Sequence, residues 1–446
     1  MPAYTLDLLN KFRPHKVYKT NTYVSIFQYL LISAVWLSII YGITATVAVL
    51  FAKFIPELLI QYKIFWLAKM TYLLAPLAAV MVLIPVNALF LVLNERKILA
   101  FLTVRLGPNR VGFNGFLQTL ADALKLLFKE DTIPTGADKL LFTLAPVFFF
   151  GPTTIAFIPV LACATGNAGP FITCDLSIGI LFVLAASSIP LLGLVIGGWA
   201  SNNKYSLMGG LRSAAQAISY EIPMVLTIIS VILLTGSIGL NEIADGQSGG
   251  ILNWNIFGFG NIYYLLNLFP LGANSIVGLY GLIMLKLSFV LFLIYLISAC
   301  AEVNRIPFDL PEAESELVSG YNTEFSGMKF ALFFLAEYTS LFIICSVASI
   351  LFLGAGHLPV STLTERSILD SLSAVVIFGN KFDISWLLPS TVIMVKAYGL
   401  VFLSVLVRAT LPRLRYDQLM SFSWKFLIPL SLVNIFIAAL LVSIHF

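Results

Sequence analysis

Long apolar stretches that recur along the whole chain constrain its fold more than any other feature. About 20 apolar residues suffice for a helix to cross a hydrocarbon core of roughly 30 Å, and in lipid only helices or a closed barrel pair every backbone polar group. Of the 446 residues, 59% are apolar and 11% are charged, which excludes a soluble enzyme. The sequence therefore predicts an all-α, polytopic membrane protein with about nine transmembrane helices. The candidate spans are Val24–Lys53, Tyr72–Leu93, Leu140–Cys163, Ser177–Trp199, Ile222–Leu240, Gly278–Cys300, Met328–Gly354, Trp386–Val407 and Trp424–Ile444.

The distribution of basic residues between the loops predicts the orientation. The segment Leu93–Leu140 carries seven Lys and Arg residues, whereas Cys163–Ser177 carries none. Because basic residues concentrate in loops that are not translocated, the basic side is the cytoplasm, or the matrix if the membrane is mitochondrial. Two segments on this side are structured rather than linkers. Asn114–Lys129 is predicted to form an amphipathic helix at the interface, and Leu207–Tyr220 is rich in small residues that allow close helix packing.

The cysteines and histidines show no pattern typical of a redox centre. The cysteines are Cys163, Cys174, Cys300 and Cys345, and the histidines are His15, His357 and His445. No two cysteines have CxxC spacing and the histidines are far apart in sequence, whereas thiolate clusters and haem need ligands gathered in space. The sequence therefore predicts that this chain binds no cofactor itself.

The segment Ala301–Phe325, AEVNRIPFDLPEAESELVSGYNTEF, concentrates acidic residues next to a predicted span. Its single cation is Arg305, and its six acids are Glu302, Asp309, Glu312, Glu314, Glu316 and Glu324. Asp309 and Glu312 have the spacing of a helix capping box, and a solvated charged loop is one interpretation of the whole segment. Burial raises the pKa of a carboxyl group and a neighbouring cation lowers it. Acids at the edge of the lipid could therefore also serve as a proton relay.

Ionisable residues inside the predicted spans, or at their ends, need a partner or a purpose because a charge in hydrocarbon is expensive. They are Glu221, Glu302, Glu337, Lys286 and Lys396. The carboxylates would extend the relay into the membrane. A buried ion pair or snorkelling to the interface explains Glu337 and Lys396 equally well, and we interpret Lys286 as snorkelling or locally paired. The basic segment Asn94–Gly112 fits either a positive-inside loop or a surface for a partner or a polar headgroup.

Several long motifs between about Tyr72 and the C-terminus resemble one family of membrane proteins. They are NERKILAFLTVRLGPNRVG (94–112), ADALKLLFKED (121–131), GWASNNKYSLMGGLRSAAQAISYEIP (198–223), AEVNRIPFDLPEAESELVSGYNTEFSGMKFALFFLAEY (301–338) and LPRLRYDQLM (411–420). The chain resembles the family of NuoH, the membrane subunit of bacterial NADH:quinone oxidoreductase (respiratory complex I), with NADH dehydrogenase subunit 1 as the mitochondrial counterpart. The resemblance implies a helical subunit at the heel of an L-shaped complex, between a redox arm and a proton-pumping arm.

The resemblance also implies roles for individual residues. Arg96, Arg105 and Asp122 would form the opening of a quinone tunnel. The charged proton path would consist of Glu221, Glu302, Asp309, Glu312, Glu314, Glu316 and Glu337. Arg212, Arg305 and Lys396 would be balancing cations. Quinone would be the substrate, and FMN and iron–sulfur clusters would belong to partner subunits. The implied partners are the quinone-site subunits of the hydrophilic arm, small membrane subunits, antiporter-like subunits and membrane lipid, with no nucleic acid.

The chain departs from the family pattern at its periphery. Residues 1–70 would be an N-terminal extension with one extra span, ahead of the family's membrane domain at 71–446, and the outer-side segments at about 241–277 and 356–385 are longer than usual. Lys286 has no family counterpart. A subunit of an energy-converting hydrogenase, a stand-alone cation or proton transporter, and an anchor for a redox arm remain alternatives. The implied location is the bacterial plasma membrane, with the mitochondrial inner membrane as the alternative.

Overall fold

The computed structural model describes residues 65–446 except 106, 113–114, 166–175, 259–274, 312–317, 361, 374, 378–379, 383–386 and 446. This part of the chain is helical apart from one short antiparallel hairpin. Its helices are α1 Phe65–Leu102, α2 Gln118–Phe128, α3 Lys139–Thr165, α4 Gly179–Ser188, α5 Pro190–Ala200, α6 Lys204–Thr235, α7 Leu240–Asp245, α8 Ser275–Glu302, α9 Gly327–Phe352, α10 Thr362–Ser373, α11 Leu387–Thr410, α12 Tyr416–Phe422 and α13 Ile428–His445. The strands are β1 Val375–Ile377 and β2 Asn380–Phe382, and the π-helix Ser423–Leu427 joins α12 to α13.

Among the described residues, seven helical stretches are long and apolar enough to cross a membrane. They are Lys139–Ala164, Gly179–Ala200, Lys204–Thr235, Ile283–Glu302, Gly327–Phe352, Leu388–Thr410 and Tyr416–Ser443. The predicted span Tyr72–Leu93 lies within α1, and the predicted span Val24–Lys53 lies outside the described residues. The predicted class, a polytopic helical membrane protein, is confirmed.

Helix α6 differs from the prediction because Leu207–Tyr220 is continuous with the span that follows it. The helix has 32 residues and at 1.5 Å per residue is about 48 Å long, which exceeds a hydrocarbon core of roughly 30 Å. The side chain of Asn203 caps its start by accepting a hydrogen bond from the backbone of Tyr205. Gly236 ends it in the left-handed region, at φ 73°. The segment is therefore the inner part of a long transmembrane helix.

Close packing of small residues explains why this inner part is helical and buried. A Cβ placed on Gly210 of α6 would lie 3.4 Å from the Cα atom of Gly198 in α5. The backbones of the two helices therefore approach at a distance that larger side chains would prevent. The small residues of Leu207–Tyr220 serve helix packing, as predicted, but within a span.

Helix α9 lies at the centre of the bundle and packs against α1, α3, α8 and α11. Every residue from Leu341 to Phe352 is buried. The ends of the helices form two faces of the bundle. One face, here called the basic end, carries the C-termini of α1, α5, α8 and α11 and the N-termini of α3, α6, α9 and α12; the other is called the opposite end.

Candidate functional site

Three carboxylates from three different helices line one cavity near the basic end of the bundle. Glu221 belongs to α6, Glu302 is the last residue of α8, and Glu337 lies in α9. The cavity has a volume of about 60 Å³, which is room for roughly four water molecules at about 15 Å³ each. Carboxylates that share a water-sized space inside a membrane bundle are placed to exchange protons.

The remaining wall of the cavity combines apolar side chains with the kink between α4 and α5. Pro190 has no N–H group, so the helix is interrupted there. Ser187 and Ser188, which precede the kink, also line the cavity and donate hydrogen bonds to the carbonyl groups of Leu184 and Ala185, each at 3.0 Å. Irregular backbone at membrane depth is tolerated where it lines a cavity of this kind.

A smaller apolar cavity of about 20 Å³ adjoins the first one. The two cavities share Ser187, Ile343 and Ile344 in their walls. The hydroxyl group of Tyr295, another wall residue of the smaller cavity, donates a hydrogen bond to the carbonyl oxygen of Ile344 at 3.1 Å. The polar space around the carboxylates is therefore bounded by apolar surface towards the middle of the bundle.

Glu337 and Glu302 have different environments within the cavity. The hydroxyl group of Tyr321, which is 1% exposed, donates a hydrogen bond to Oε1 of Glu337. In contrast, Oε2 of Glu302 is buried and accepts no hydrogen bond from the residues that the structure describes. A buried carboxylate oxygen without a protein donor is costly unless water or a proton satisfies it, so Glu302 is the member of the group most open to proton exchange.

A second ionic cluster, which we call the Glu95 cluster, lies beside the first. Glu95 in α1 is 6% exposed and forms ion pairs with two arginines. Its Oε2 atom lies 3.6 Å from Nη1 of Arg305, and its Oε1 atom accepts a hydrogen bond from Arg408. The hydroxyl group of Tyr338 donates to Oε2 at 2.6 Å, and the guanidinium of Arg305 lies 4.2 Å from the centre of the Tyr338 ring. This buried acid is thus fully surrounded by donors, as a buried charge requires.

The cavity and the Glu95 cluster are joined through two short segments of backbone. Glu302 and Arg305 are three residues apart in the turn after α8, and Glu337 and Tyr338 are consecutive in α9. In each segment one residue reaches the cavity and the other reaches Glu95. The two clusters therefore cannot move independently of each other.

Comparison with known proteins decides the family. Residues 74–439 match the model of the family described as NADH dehydrogenase. The chain belongs to this family. It is 45% identical over 358 residues to a Bacillus cytotoxicus protein and 44% identical to proteins of Bacillus thuringiensis and Bacillus anthracis, each alignment covering 80% of this chain and 89% of the relative. All three relatives are named as the NuoH-type subunit of NADH-quinone oxidoreductase, so the resemblance found in the sequence is confirmed.

The three residues that the NADH dehydrogenase family places at a quinone tunnel lie at the surface of the basic end. Nη1 of Arg96 in α1 lies 2.5 Å from Oδ2 of Asp122 in α2, and both side chains are more than a third exposed. Gln118 supports this pair by donating to Oδ1 of Asp122 at 3.2 Å. Arg105 is exposed and donates to the hydroxyl group of Thr103 at 3.1 Å. The predicted amphipathic helix is present as α2, with Leu120, Leu124, Leu127 and Phe128 exposed along it.

The structure places the other predicted path residues in several locations. Asp309 forms an ion pair with Arg413 at 3.1 Å, and Arg212 is half-buried on α6. Nζ of Lys396 donates to the carbonyl groups of Leu353, Ala355 and His357 at 2.7 to 2.9 Å. Lys396 therefore neutralises the C-terminal end of α9 at the opposite end of the bundle and is not brought to the carboxylate cavity. Glu312, Glu314 and Glu316 lie outside the described residues, and Lys286 is exposed on α8.

The sequence reasoning missed three residues that organise the site: Glu95, Tyr321 and Gln216. The sequence assigns Glu95 only to a basic loop. A signal was present, because Leu91 and Ala88, one and two turns earlier in α1, are apolar and both are buried. An acid in register with such a stripe faces the bundle interior. Tyr321 and Gln216 gave no comparable signal, since their roles depend on contacts distant in sequence.

Proposed function

We propose that this chain is the membrane subunit of a proton-translocating NADH:quinone oxidoreductase that forms the opening of the quinone tunnel and the start of the charged path for protons. The chain is a subunit of a multi-subunit enzyme and has no redox centre of its own. Electrons from NADH would arrive through FMN and iron–sulfur clusters of partner subunits. The location is the plasma membrane of a bacterium, with several spans, since the relatives reported above are Bacillus proteins.

The single observation that carries the proposal is the meeting of Glu221, Glu302 and Glu337 around one water-sized cavity. Three acids from distant parts of the sequence have no structural reason to share an apolar bundle interior, because each costs free energy there. Proton exchange gives them a reason. Asp309, Glu312, Glu314 and Glu316 would extend the path towards the basic end, with Arg212 and Arg305 as balancing cations.

The quinone side of the proposal rests on the basic end of the bundle. The exposed apolar residues of α2 offer a surface along which a quinone tail can pass, and the exposed pair of Arg96 and Asp122 lies at its edge. Arg105 is exposed nearby in sequence, after the end of α1. Reduction of a quinone takes up two electrons and two protons and gives a quinol, so charge near the tunnel changes at every turnover.

The proposed coupling runs through the Glu95 cluster. A change of charge near α1 alters the balance between Glu95 and its two arginines, and Arg305 belongs to the same turn as Glu302. The altered turn changes the proton affinity of the cavity carboxylates. The path then passes protons towards the small membrane subunits and the antiporter-like subunits.

The test uses the assembled complex in membrane vesicles, with Glu302→Gln and Glu337→Gln as separate variants. Glutamine keeps the shape of the side chain but cannot carry a proton, so we expect the number of protons pumped per NADH oxidised to fall at least about tenfold in the Glu302 variant. The matched control is Glu242→Gln, which removes an exposed acid of α7 at the opposite end. Proton pumping and quinone reduction equal to those of the control in both variants would overturn the proposal.

A further inference from the structure

A fully buried glutamine, Gln216 of α6, connects this helix to the turn that follows α8. Its Nε2 atom donates to the carbonyl oxygens of Ala301 at 2.8 Å and Phe308 at 2.7 Å. The same atom lies 3.0 Å from Oδ1 of Asn304. One side chain therefore holds the start, the middle and the end of an eight-residue turn, Ala301–Phe308.

The chemistry of these neighbours fixes the orientation of the amide group. Backbone carbonyl groups can only accept, so the NH₂ group of Gln216 must face the turn even if the amide of Asn304 were reversed. Oε1 of Gln216 is buried and has no hydrogen-bond partner among the described residues. A buried amide with an unsatisfied oxygen is a poor choice for stability alone. The donor group is therefore the useful part of the side chain.

The turn has its own internal hydrogen bonds and does not depend on Gln216 to exist. The carbonyl group of Ala301 also accepts the N–H of Asn304 at 3.2 Å, and that of Phe308 accepts the N–H of Leu310 at 2.9 Å. Asn304 has a positive φ of 53°, which reverses the chain direction. What Gln216 adds is the position of the turn relative to α6.

This position matters because the turn carries one residue of each cluster. Glu302 lines the carboxylate cavity and Arg305 is paired with Glu95, while α6 itself supplies Glu221 to the same cavity. We propose that Gln216 is a positioning residue that keeps Glu302 and Arg305 in fixed register with α6, so that a change at Glu95 reaches the cavity. The inference deepens the proposed function and rests on it.

The experiment compares two substitutions in the assembled complex. Gln216→Met keeps the volume and removes the donor, whereas Gln216→Glu keeps the shape and can donate one hydrogen bond only when its carboxyl group is protonated. The control is Thr227→Val, because Thr227 is fully buried in the same helix and its hydroxyl group bonds only to the carbonyl of Met224, at 2.7 Å. The readouts are NADH oxidation with a hydrophilic acceptor, quinone reduction, protons pumped per NADH, and hydrogen exchange of residues 301–310.

We expect the Met variant to assemble and to oxidise NADH with the hydrophilic acceptor as the control does. Its turn should exchange backbone hydrogens at least about tenfold faster, and pumping should fall about tenfold or more, since a displacement of about 1 Å in a reacting group has effects of this size. In the Glu variant, pumping per NADH should recover as the pH is lowered, because protonation restores a donor. A purely structural role would not produce this pH profile.

The outcomes separate this inference from the proposed function. If Glu302→Gln abolishes pumping but Gln216→Met pumps normally, the positioning role is wrong and the proposed function stands. If Glu302→Gln pumps normally, the proposed function fails, and faster exchange of the turn without loss of pumping in Gln216→Met would then end the coupling role as well. An unchanged exchange rate, or failure of both Gln216 variants to assemble while the control assembles, also overturns the inference.

Discussion

His357 lies between two carboxylates at the opposite end of the bundle, and we predict that this contact weakens as the pH rises. Nδ1 of His357 lies 3.1 Å from Oε1 of Glu365, and Nε2 lies 3.5 Å from Oδ1 of Asp245. Hydrogen bonds with Asp245 and Glu365 raise the pKa of His357 from 6.5 to about 9, although burial opposes the change. Burial alone would raise the pKa of Glu365, but the hydrogen bond and the charge of His357 bring that pKa below its ordinary value.

The direction of the pH effect follows from the raised pKa of His357. Protonation stabilises the folded state, so the contribution is fully present below pH 6.5, decreases as the pH rises through about 9, and is absent above that value. A difference of about 2.5 pKa units corresponds to roughly 3 kcal/mol. The side chain of Asp245 is 65% exposed, so solvent screens part of the interaction, and we expect about 2 kcal/mol, or roughly thirtyfold in the local opening equilibrium.

Cleavage by trypsin at Arg366 measures this opening, because Arg366 is exposed in α10, next to Glu365. The rate is measured on the assembled complex at pH 7, 8, 9 and 10 and divided by the rate for a free peptide of the same sequence. For the unmodified protein the ratio should increase about thirtyfold over this range. In His357→Gln it should already be high at pH 7 and change little. Cleavage at the exposed Arg110 of the basic end is the internal control, and equal pH slopes in the two proteins would refute the reasoning.

Three further predictions concern the basic end. Replacing Glu95 by Gln leaves two arginines facing a neutral group, so the complex should lose about 3 kcal/mol of stability, seen as a lower Tm; an unchanged Tm would contradict the role of the ion pairs. Asp122→Asn should cost less than about 1 kcal/mol because the pair is exposed, yet it should change KM for quinone, which steady-state kinetics will check. Gly209→Ala would place a Cβ 2.8 Å from the backbone nitrogen of Tyr321 and should destabilise by about 1–3 kcal/mol. Gly399→Ala, with no atom within 4 Å of the new Cβ, should be neutral or slightly stabilising in the same thermal assay.

The positions of the spans could be predicted from the sequence because hydrophobicity decides them. The predicted span Leu140–Cys163 and the observed Lys139–Ala164 differ by one residue at each end. The exception is the start of α6, where glycine, alanine and serine lower the mean hydropathy although the helix is buried. Small residues are buried there by close contact between helices, which hydropathy along one sequence does not measure.

The grouping of charged residues was less predictable than their presence. The cost of a charge in a membrane singled out Glu221, Glu302 and Glu337 correctly as residues that need an explanation, and all three line one cavity. The same reasoning paired Lys396 with these acids, whereas its Nζ atom binds backbone carbonyls at the end of α9. A sequence shows that a charge must be satisfied, but carbonyl groups at a helix end leave no trace in it.

The geometry of α9 explains how two clusters of opposite character can share one helix. Consecutive residues of a helix point about 100° apart, so Glu337 faces the cavity while Tyr338 faces Glu95. The turn after α8 repeats this arrangement with Glu302 and Arg305. Two separate backbone segments thus connect the same pair of clusters, and a movement that changed the ion pairs of Glu95 would shift both segments together. Because packed interiors resist continuous deformation, such a movement would reach the cavity as a step from one arrangement to another, without a row of ionisable groups between the two clusters.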